Sequence, residues 1–535
     1  RAPAEASGLF PASGAPSASA VPVVAVLPFD NLSDSEENEY FADGMTEELL
    51  ARLARLSTVR VISRQSVMRY KDTDLGMRQI ADSLGATHVV EASVRRAADA
   101  VRITAQLIDA REDRHLWADQ YDRELTVEAI FDIQSDIGAE IAAALEATLS
   151  PGTTDISMDP PTHDLTAYDF YLRGRETVNR GTREDVEQGI ALIKLAIERD
   201  PNFALAHSRL AFAYTALVGG TGGDPLWMDS AAVAARTALD LDPLSPDALS
   251  VLALVQWNDG RMTEAEATYA RVLEARPNDA ESLWGLAFVR WLAGRLDEAV
   301  VRARRAVILD PATAPYHALL GRCYAALGDD ESAEAAFREA LRRQPDSPWA
   351  HEDLIVLYLV RRDYDAAAEQ LRILEALRPG SSEYLEMSGI LALRQGDYRM
   401  ATEYFERHLA EHPDRRTQPL TELGVAYERL GDPDRAREAW DRAAALALEP
   451  EDEPFWGVWR LGRLAAARGW VDEAVGHLEE AYDRGWRGWP SVDIRNDVLL
   501  TPLSGNERFD ALRERILEDV ARMRANLRSP ELREP

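Results

Sequence analysis

The chain has 535 residues, 46% hydrophobic and 28% charged, the balance of a folded globular protein rather than a disordered one. Its 60 Lys and Arg against 92 Asp and Glu leave a formal charge of −32, which argues against a broad electrostatic grip on nucleic acid or anionic lipid. The single cysteine, Cys323, excludes an intrachain disulfide, a thiolate zinc site and an iron–sulfur cluster.

The basic residues are almost all Arg, with Lys71 and Lys194 the exceptions. Little amine is therefore at hand for Schiff-base chemistry. The most apolar run, Val21 to Phe29, is far shorter than the ~20 residues a spanning helix needs, so no membrane span is expected in this chain. The sequence opens at Arg1 rather than Met, from which a processed or cut N-terminus, or a piece of a longer polypeptide, is expected.

Residues 1–21 are rich in Ala, Ser and Pro and read as a tail or linker. Their one apolar anchor is Leu9-Phe10-Pro11. From residue 22 to 149 the pattern is that of a compact α/β sandwich. Val23 to Phe29 reads as a buried strand. Phe41, Met45, Leu49, Leu53 and Leu56 recur every three or four places and give one helix face. Val59 and Val61 open another strand, and Gly85 stops a short helix carrying Ile80 and Leu84. His88 to Val94 and the alternating Val101, Ile103, Ala105 and Leu107 form a hairpin. A strand near Leu116 to Tyr121 leads to a helix from about Val127 to Leu149. Residues 150–163 hold three prolines and no period, and read as a linker.

From residue 164 to 485 the chain repeats. Pro243, Pro277, Pro311, Pro345, Pro379 and Pro413 fall every 34 residues, and Ala265, Ala299, Ala333, Ala367 and Ala401 keep step with them. Gly260, Gly294, Gly328 and Gly396 mark an inter-helix turn, where Arg362 stands in for one of them. Tyr269, Phe337 and Phe405 fill one bulky place. A helix–turn–helix unit of this period resembles the tetratricopeptide repeat. The small Ala lets two helices approach, the ring fills the gap, and Pro ends the second helix. About nine such pairs are expected, stacked as an α-solenoid and followed over 486–535 by a capping segment without the period. The fold class is α+β, mostly α.

Chemistry is sparse. The sequence lacks GxxxxGK[ST], GxGxxG after a strand, HExxH and GxSxG. His408 and His412 have i, i+4 spacing but no third ligand nearby. The acidic run Asp30 to Glu39 breaks the grammar of a calcium loop, since Leu32 takes a ligand place. No catalytic residue, cofactor or metal is expected. In such solenoids the first helix of each pair faces the groove. The inward places hold Leu254, Trp257, Trp284, Phe288 and Trp291, then Trp349, Val356, Leu359, Ile390 and Leu393. These are either a peptide-binding groove or core packing between helices.

VAVLPFDNLS (24–33), EYFADGMTEELLARLARL (39–56), VRVISRQSV (59–67), LGATHVVEASVRR (84–96) and VRITAQLIDAREDRHLWADQYDREL (101–125) together resemble the TolB amino-terminal-like domain. The resemblance covers residues 22–149. It implies a bacterial protein in which this domain and its repeat tail accompany a serine/threonine kinase, an adenylate cyclase or a winged-helix regulator, with no catalytic residue to carry over. The expectation is a non-enzymatic scaffold whose groove binds an extended peptide. One such peptide is the Leu9-Phe10-Pro11 tail of a neighbouring copy, which builds a filament. The alternatives are a sensor or regulatory portion of a kinase, cyclase or transcription regulator and, last, an enzyme. Partners are then proteins, including other copies, and not nucleic acid. The tail composition favours an extracytoplasmic or cell-surface place.

Overall fold

The computed structural model describes residues 21–33, 38–56, 58–71, 73–97, 99–145, 159–219, 226–412, 419–447, 456–487 and 497–528. They fall into two compact units, residues 21–286 with 305–312, and residues 287–304 with 313–528.

The first unit opens with β1 (Val23–Val26), β2 (Asp30–Asn31), α1 (Glu39–Leu53), β3 (Arg60–Val61), α2 (Arg64–Met68), α3 (Met77–Leu84), β4 (His88–Ala97), β5 (Ala100–Asp109), β6 (Arg114–Glu124) and α4 (Val127–Ala144). The sheet runs β3-β1-β4-β5-β6, with β2 also paired to β4. β1 is parallel to β3 and β4, whereas β4, β5 and β6 form an antiparallel meander. On β5 the apolar set Val101, Ile103, Ala105 and Leu107 is buried and Arg102 and Thr104 are exposed, the period-2 pattern of a strand with one covered face. Phe41, Met45, Leu49 and Leu53 bury one stripe of α1. Thr126 caps α4 by accepting the Ala129 N–H at 3.1 Å. Gly85 ends α3 in the left-handed conformation at φ 67°.

Helix pairs follow: α5 (Leu165–Asn179) with α6 (Arg183–Arg199), α7 (Ala204–Gly219) with α8 (Leu226–Leu241), and α9 (Pro246–Asn258) with α10 (Met262–Ala275). The pair α11 (Ala280–Leu292) and α12 (Leu296–Leu309) has residues in both units. In the first unit one hydrophobic cluster is continuous from Val24 through Phe131 and Tyr168 to Phe203 and Val255, so sheet region and first helices share a core. Rings mark the seam, with Phe131–Tyr168 centroids at 5.9 Å and Tyr171–Phe203 at 5.1 Å.

The second unit continues with α13 (Ala314–Ala326), α14 (Asp330–Arg343), α15 (Pro348–Val360), α16 (Tyr364–Leu377), α17 (Ser382–Gln395), α18 (Tyr398–Glu411), α19 (Leu420–Arg429), α20 (Pro433–Ala447), α21 (Trp456–Ala467) and α22 (Val471–Asp483). Together the described residues hold nine helix pairs from α5 to α22. Pro243, Pro277, Pro311, Pro345 and Pro379 each stand just beyond a second helix; Pro413 lies outside the described residues. Arg362 adopts φ 57° at the turn where sister repeats place glycine, a conformation that costs a side-chain-bearing residue about 1–2 kcal/mol.

Within a pair, a ring on the second helix sits on a glycine of the first. A Cβ on Gly321 would stand 2.5 Å from Phe337 Cε1, and Gly389 and Gly424 meet Phe405 and Trp440 the same way. The rings of Phe337 and Phe405 are fully buried.

Two places in the C-terminal segment keep step with the ninth pair. A 3₁₀ turn (Val498–Leu503) and α23 (Glu507–Asn526) take the place of a tenth pair. Asp497 lies 34 residues after Arg463 and accepts its Nε–H at 2.8 Å. Leu512 stands 34 after Leu478, and both are buried. The first helix has shrunk to a turn because Pro502 and Gly505 break it. The second has lengthened to 20 residues and reaches back to the start of this unit. There Leu296 N–H meets Met523 Sδ at 3.3 Å, and Asn526 Nδ2 donates to Asp297 at 2.7 Å. Gly485 packs on Ala293 so closely that a Cβ would stand 2.8 Å from its carbonyl carbon.

Replacing Gly321 by Ala drives a methyl into Phe337 and lowers unfolding free energy by about 1–3 kcal/mol. Gly476→Ala on α22, with open space around it, is neutral or raises it by up to about 1 kcal/mol. Urea unfolding followed by circular dichroism measures both.

Candidate functional site

On each first helix, the residue after the packed glycine or its equivalent is turned about 100° away from the second helix. In the first unit that place holds Arg175, Arg209 and Leu254. The two arginines face α1. Arg175 Nη1 donates to Glu48 at 2.9 Å and to Tyr171 Oη at 3.2 Å, and Nη2 donates to the Gly44 carbonyl at 3.2 Å. The Arg175 and Glu48 side chains are each 5% exposed. Arg64 bridges Glu47 and Glu176, both at 3.0 Å. Arg96 and Tyr40 converge on Asp169 at 2.8 and 2.7 Å.

Electrostatics follow from this crowding. Burial opposes the charge on Arg175, but Glu47, Tyr171 and Glu48 more than offset it, and its pKa lies above the usual range. Burial likewise opposes the Glu47 carboxylate, yet Arg175 and Arg64 hold its pKa down. Arg209 has fewer counter-charges. Its Nη2 donates to Asn179 and to the Arg175 carbonyl, and burial lowers its pKa despite Glu47. About two turns nearer the start of α9 and α11, Asp247 and Glu281 stand 34 residues apart. Arg276 pairs with Asp247 at 2.6 and 3.0 Å and lowers its pKa against burial. Glu281 is exposed, yet desolvation by the surrounding atoms and the charges of Asp279 and Asp247 push it up to about 7.

A second set of contacts pins the far side of the sheet region. Asn278 Nδ2 donates to the carbonyls of Leu56 at 3.2 Å and Val59 at 2.5 Å. Ser63 N–H meets the Leu309 carbonyl at 2.9 Å, and Ser66 Oγ donates to Asp310 at 2.7 Å. In the first unit the repeats therefore already carry an occupant, the acidic face of α1, on their arginine-bearing helices.

In the second unit the corresponding row is Phe288, Arg322, Val356, Ile390, Val425 and Arg463. Its arginines are also paired: Arg322 to Asp353 at 2.9 Å, and Arg463 to Glu422 at 2.9 Å and Asp497 at 2.8 Å. Of the candidate groove residues, Trp291, Val356, Leu359 and Leu393 are buried, and Leu254, Trp257, Trp284, Phe288 and Ile390 are half-buried. Trp349 is 66% exposed. Phe288 and Trp291 come together, with ring centroids at 5.5 Å. Leu9, Phe10 and Pro11 lie outside the described residues. His408 is fully buried and shares a hydrogen bond of 2.8 Å with Ser382 Oγ, which gives it a structural place. Cys323 is buried, and burial raises its thiol pKa.

Sequence reasoning missed the arginine–carboxylate seam, because charged residues on a helix read as a solvated face. The 34-residue spacing of Arg175 and Arg209, directly after small residues, was the available signal.

Residues 228–280, 353–416 and 421–488 match one tetratricopeptide-repeat family model, and residues 315–357 match a second. The helix pairs in these stretches are tetratricopeptide repeats. A protein of Rhizobium meliloti (strain 1021) described as putative adenylate cyclase 3 is 36% identical over 253 residues, covering 47% of this chain and 43% of that protein. The cellulose synthase operon protein C of Pseudomonas fluorescens (strain SBW25) is 30% identical over 227 residues, covering 40% of this chain and 17% of its own length. The chain thus spans less than half of either relative. Among solved structures, Pseudomonas aeruginosa pilF aligns at 21% identity over 44% of this chain and 98% of its own, with a TM-score of 0.34. YrrB, titled a TPR protein with an unusual peptide-binding site, aligns at 20% identity over 36% and 95%, with a TM-score of 0.29. At those scores neither likeness decides anything about this chain.

Arg175→Met leaves Glu48 buried without its ion-pair partner, while half-buried Glu47 keeps Arg64, and costs about 3–5 kcal/mol in urea unfolding. Adding Glu48→Gln recovers part of it, and a double-mutant cycle reads the coupling.

Glu281 ionises near 4.5 when unfolded and near 7 when folded. Between those values the native state binds more protons, so this group's contribution falls as pH rises through the window. Glu281→Gln removes that slope. Its thermal midpoint should exceed the parent's by about 1–2 °C at pH 8 and match it near pH 4.

Proposed function

We propose that the protein is a non-enzymatic protein–protein interaction scaffold whose tetratricopeptide repeats take up an extended stretch of a partner polypeptide. The observation that carries this reading is a row of apolar and aromatic residues on first helices of the second unit, interrupted on α13 by the ion-paired Arg322. Phe288, Val356 and Ile390 recur at the 34-residue period, and Trp349 is exposed on the first turn of α15. Repeats of this kind place anchors at regular intervals, and affinity comes from a few buried rings with a polar surround. The sheet region, read as TolB amino-terminal-like over 22–149, is then a second recognition module. In this reading it is docked in cis on the first repeats, and 164–485 is the binding array.

Selection of random peptides displayed on phage against the full chain tests this. Enriched sequences should share an apolar or aromatic anchor. Phe288→Ala and Trp349→Ala, each retaining the parent's circular dichroism, should weaken binding by about tenfold or more. No enrichment, or binding indifferent to both changes, overturns the reading.

The relative described as a putative adenylate cyclase favours one second reading, a regulatory portion that works with a cyclase-type effector. Here the acidic face of α1 on Arg175 and Arg64 is the contact a signal would release. Self-assembly through the Leu9-Phe10-Pro11 tail is a special case of the first reading, and removing residues 1–20 changes the sedimentation profile if it holds.

A further inference from the structure

Three of the repeats in the second unit share a packing device that a fourth has lost. In α13 and α15, Leu320 and Leu354 are followed four places later by Tyr324 and Tyr358. α19 repeats the pattern with Leu423 and Tyr427. Each tyrosine sends its hydroxyl to a polar residue on the second helix of the preceding pair. Arg304 Nε donates to Tyr324 Oη at 2.7 Å, and Arg338 Nη2 donates to Tyr358 Oη at 3.3 Å. Tyr427 Oη donates to Glu406. In the two arginine cases the partner stands 20 residues before the ring.

In α17 the same two places hold Ser388 and Ala392, while the arginine 20 residues before Ala392 is retained as Arg372. Two large side chains have been exchanged for small ones and the cation kept. The result is a cavity of about 260 Å³ between α16, α17 and α18. Leu371, Leu391 and Ala392 give it apolar walls, with Ser388, Tyr384 and Tyr404 as its polar edge. Tyr384 and Tyr404 meet edge to face at 6.1 Å, so one wall is itself aromatic. Arg372, 73% exposed and paired with Glu369, stands at the rim with Met400, itself 46% exposed. The depression opens to solvent at this rim, so a ring can enter it from outside.

We propose that this cavity binds a phenolic ring, its face against Ala392, Leu371 and Leu391 and its hydroxyl on Arg372, as Tyr324 and Tyr358 sit on Arg304 and Arg338 in the neighbouring repeats. The ring is supplied from outside the fold. Its source is either a tyrosyl side chain of a partner polypeptide or a free small phenol, and the chemistry recognised is the same. The site lies between two second helices, α16 and α18, and a face of α17 whose lining residues do not include Ile390 or Leu393, so it stands independently of the groove reading.

Titration of the full chain with p-cresol, the tyrosine side chain as a free molecule, tests it. Thermal midpoint and tyrosine-region NMR are the readouts. p-Cresol should raise the midpoint at millimolar concentration, and toluene, the same ring without the hydroxyl, should bind about fivefold more weakly. Ala392→Tyr should raise the unliganded midpoint by about 2 °C by filling the site in cis, and abolish the response to p-cresol. Ser388→Leu is the second filling variant and should reduce that response. Arg372→Met should bring p-cresol and toluene to within about twofold of each other. N-acetyltyrosinamide binding as well as p-cresol assigns a tyrosyl side chain, and p-cresol binding alone assigns a free phenol. No response to p-cresol at about 10 mM, an unchanged response in both filling variants, or a lowered midpoint in both overturns the proposal.

Discussion

An aromatic ring lying on a residue that has no side chain is the contact that closes three of the helix pairs. Phe337 on Gly321 and Phe405 on Gly389 occupy the space that a Cβ on either glycine would take. Everything else in a repeat is adjusted to that approach. The alanines at Ala333 and Ala401, both fully buried, keep the second helix close. The glycine turn lets the chain reverse within two residues. Proline just beyond each second helix stops it where the next pair must begin.

The same approach fixes which residues look outward, and the chain uses that fixed direction for charge. Arg175 and Arg209 in the first unit and Arg322 and Arg463 in the second hold equivalent places, and all lie near carboxylates or carbonyls. In the first unit the partner is α1, whose carboxylates meet arginines largely removed from water. Buried ion pairs of this kind add little net stability over an apolar contact, but they penalise any arrangement that leaves one charge alone. The seam between sheet region and repeats is thus defined by register, and a slide of one helical turn would strand Glu48 or Arg175.

Much of this was legible in the sequence. The period of the prolines located six of the nine pairs, because Pro acts through the covalent backbone and needs no tertiary context. The strands and α1 were legible because burial on one face leaves a period. The degenerate tenth pair escaped notice, since Pro502 and Gly505 erased its first helix and left only Asp497 and Leu512 in step. The arginine seam was illegible for a different reason. A charged residue reads as surface unless its counter-charge is known, and Glu48 lies 127 residues from Arg175. The cavity at Ser388 and Ala392 shows only as a departure from the neighbouring repeats, so it becomes visible once the phase of the repeat has been set.

Repeat arrays ordinarily lengthen or shorten by whole units, since each unit touches only its neighbours and tolerates one more. The contacts of α23 remove that freedom from the second unit. Met523 and Asn526 must return to Leu296 and Asp297, and Gly485 must meet Ala293. One inserted or deleted helix pair between them would rotate the ends out of reach. The number of repeats in this stretch is therefore a counted quantity, like the links of a bracelet that has to fasten, and lineages carrying this clasp can vary the residues of a repeat far more easily than the tally of repeats.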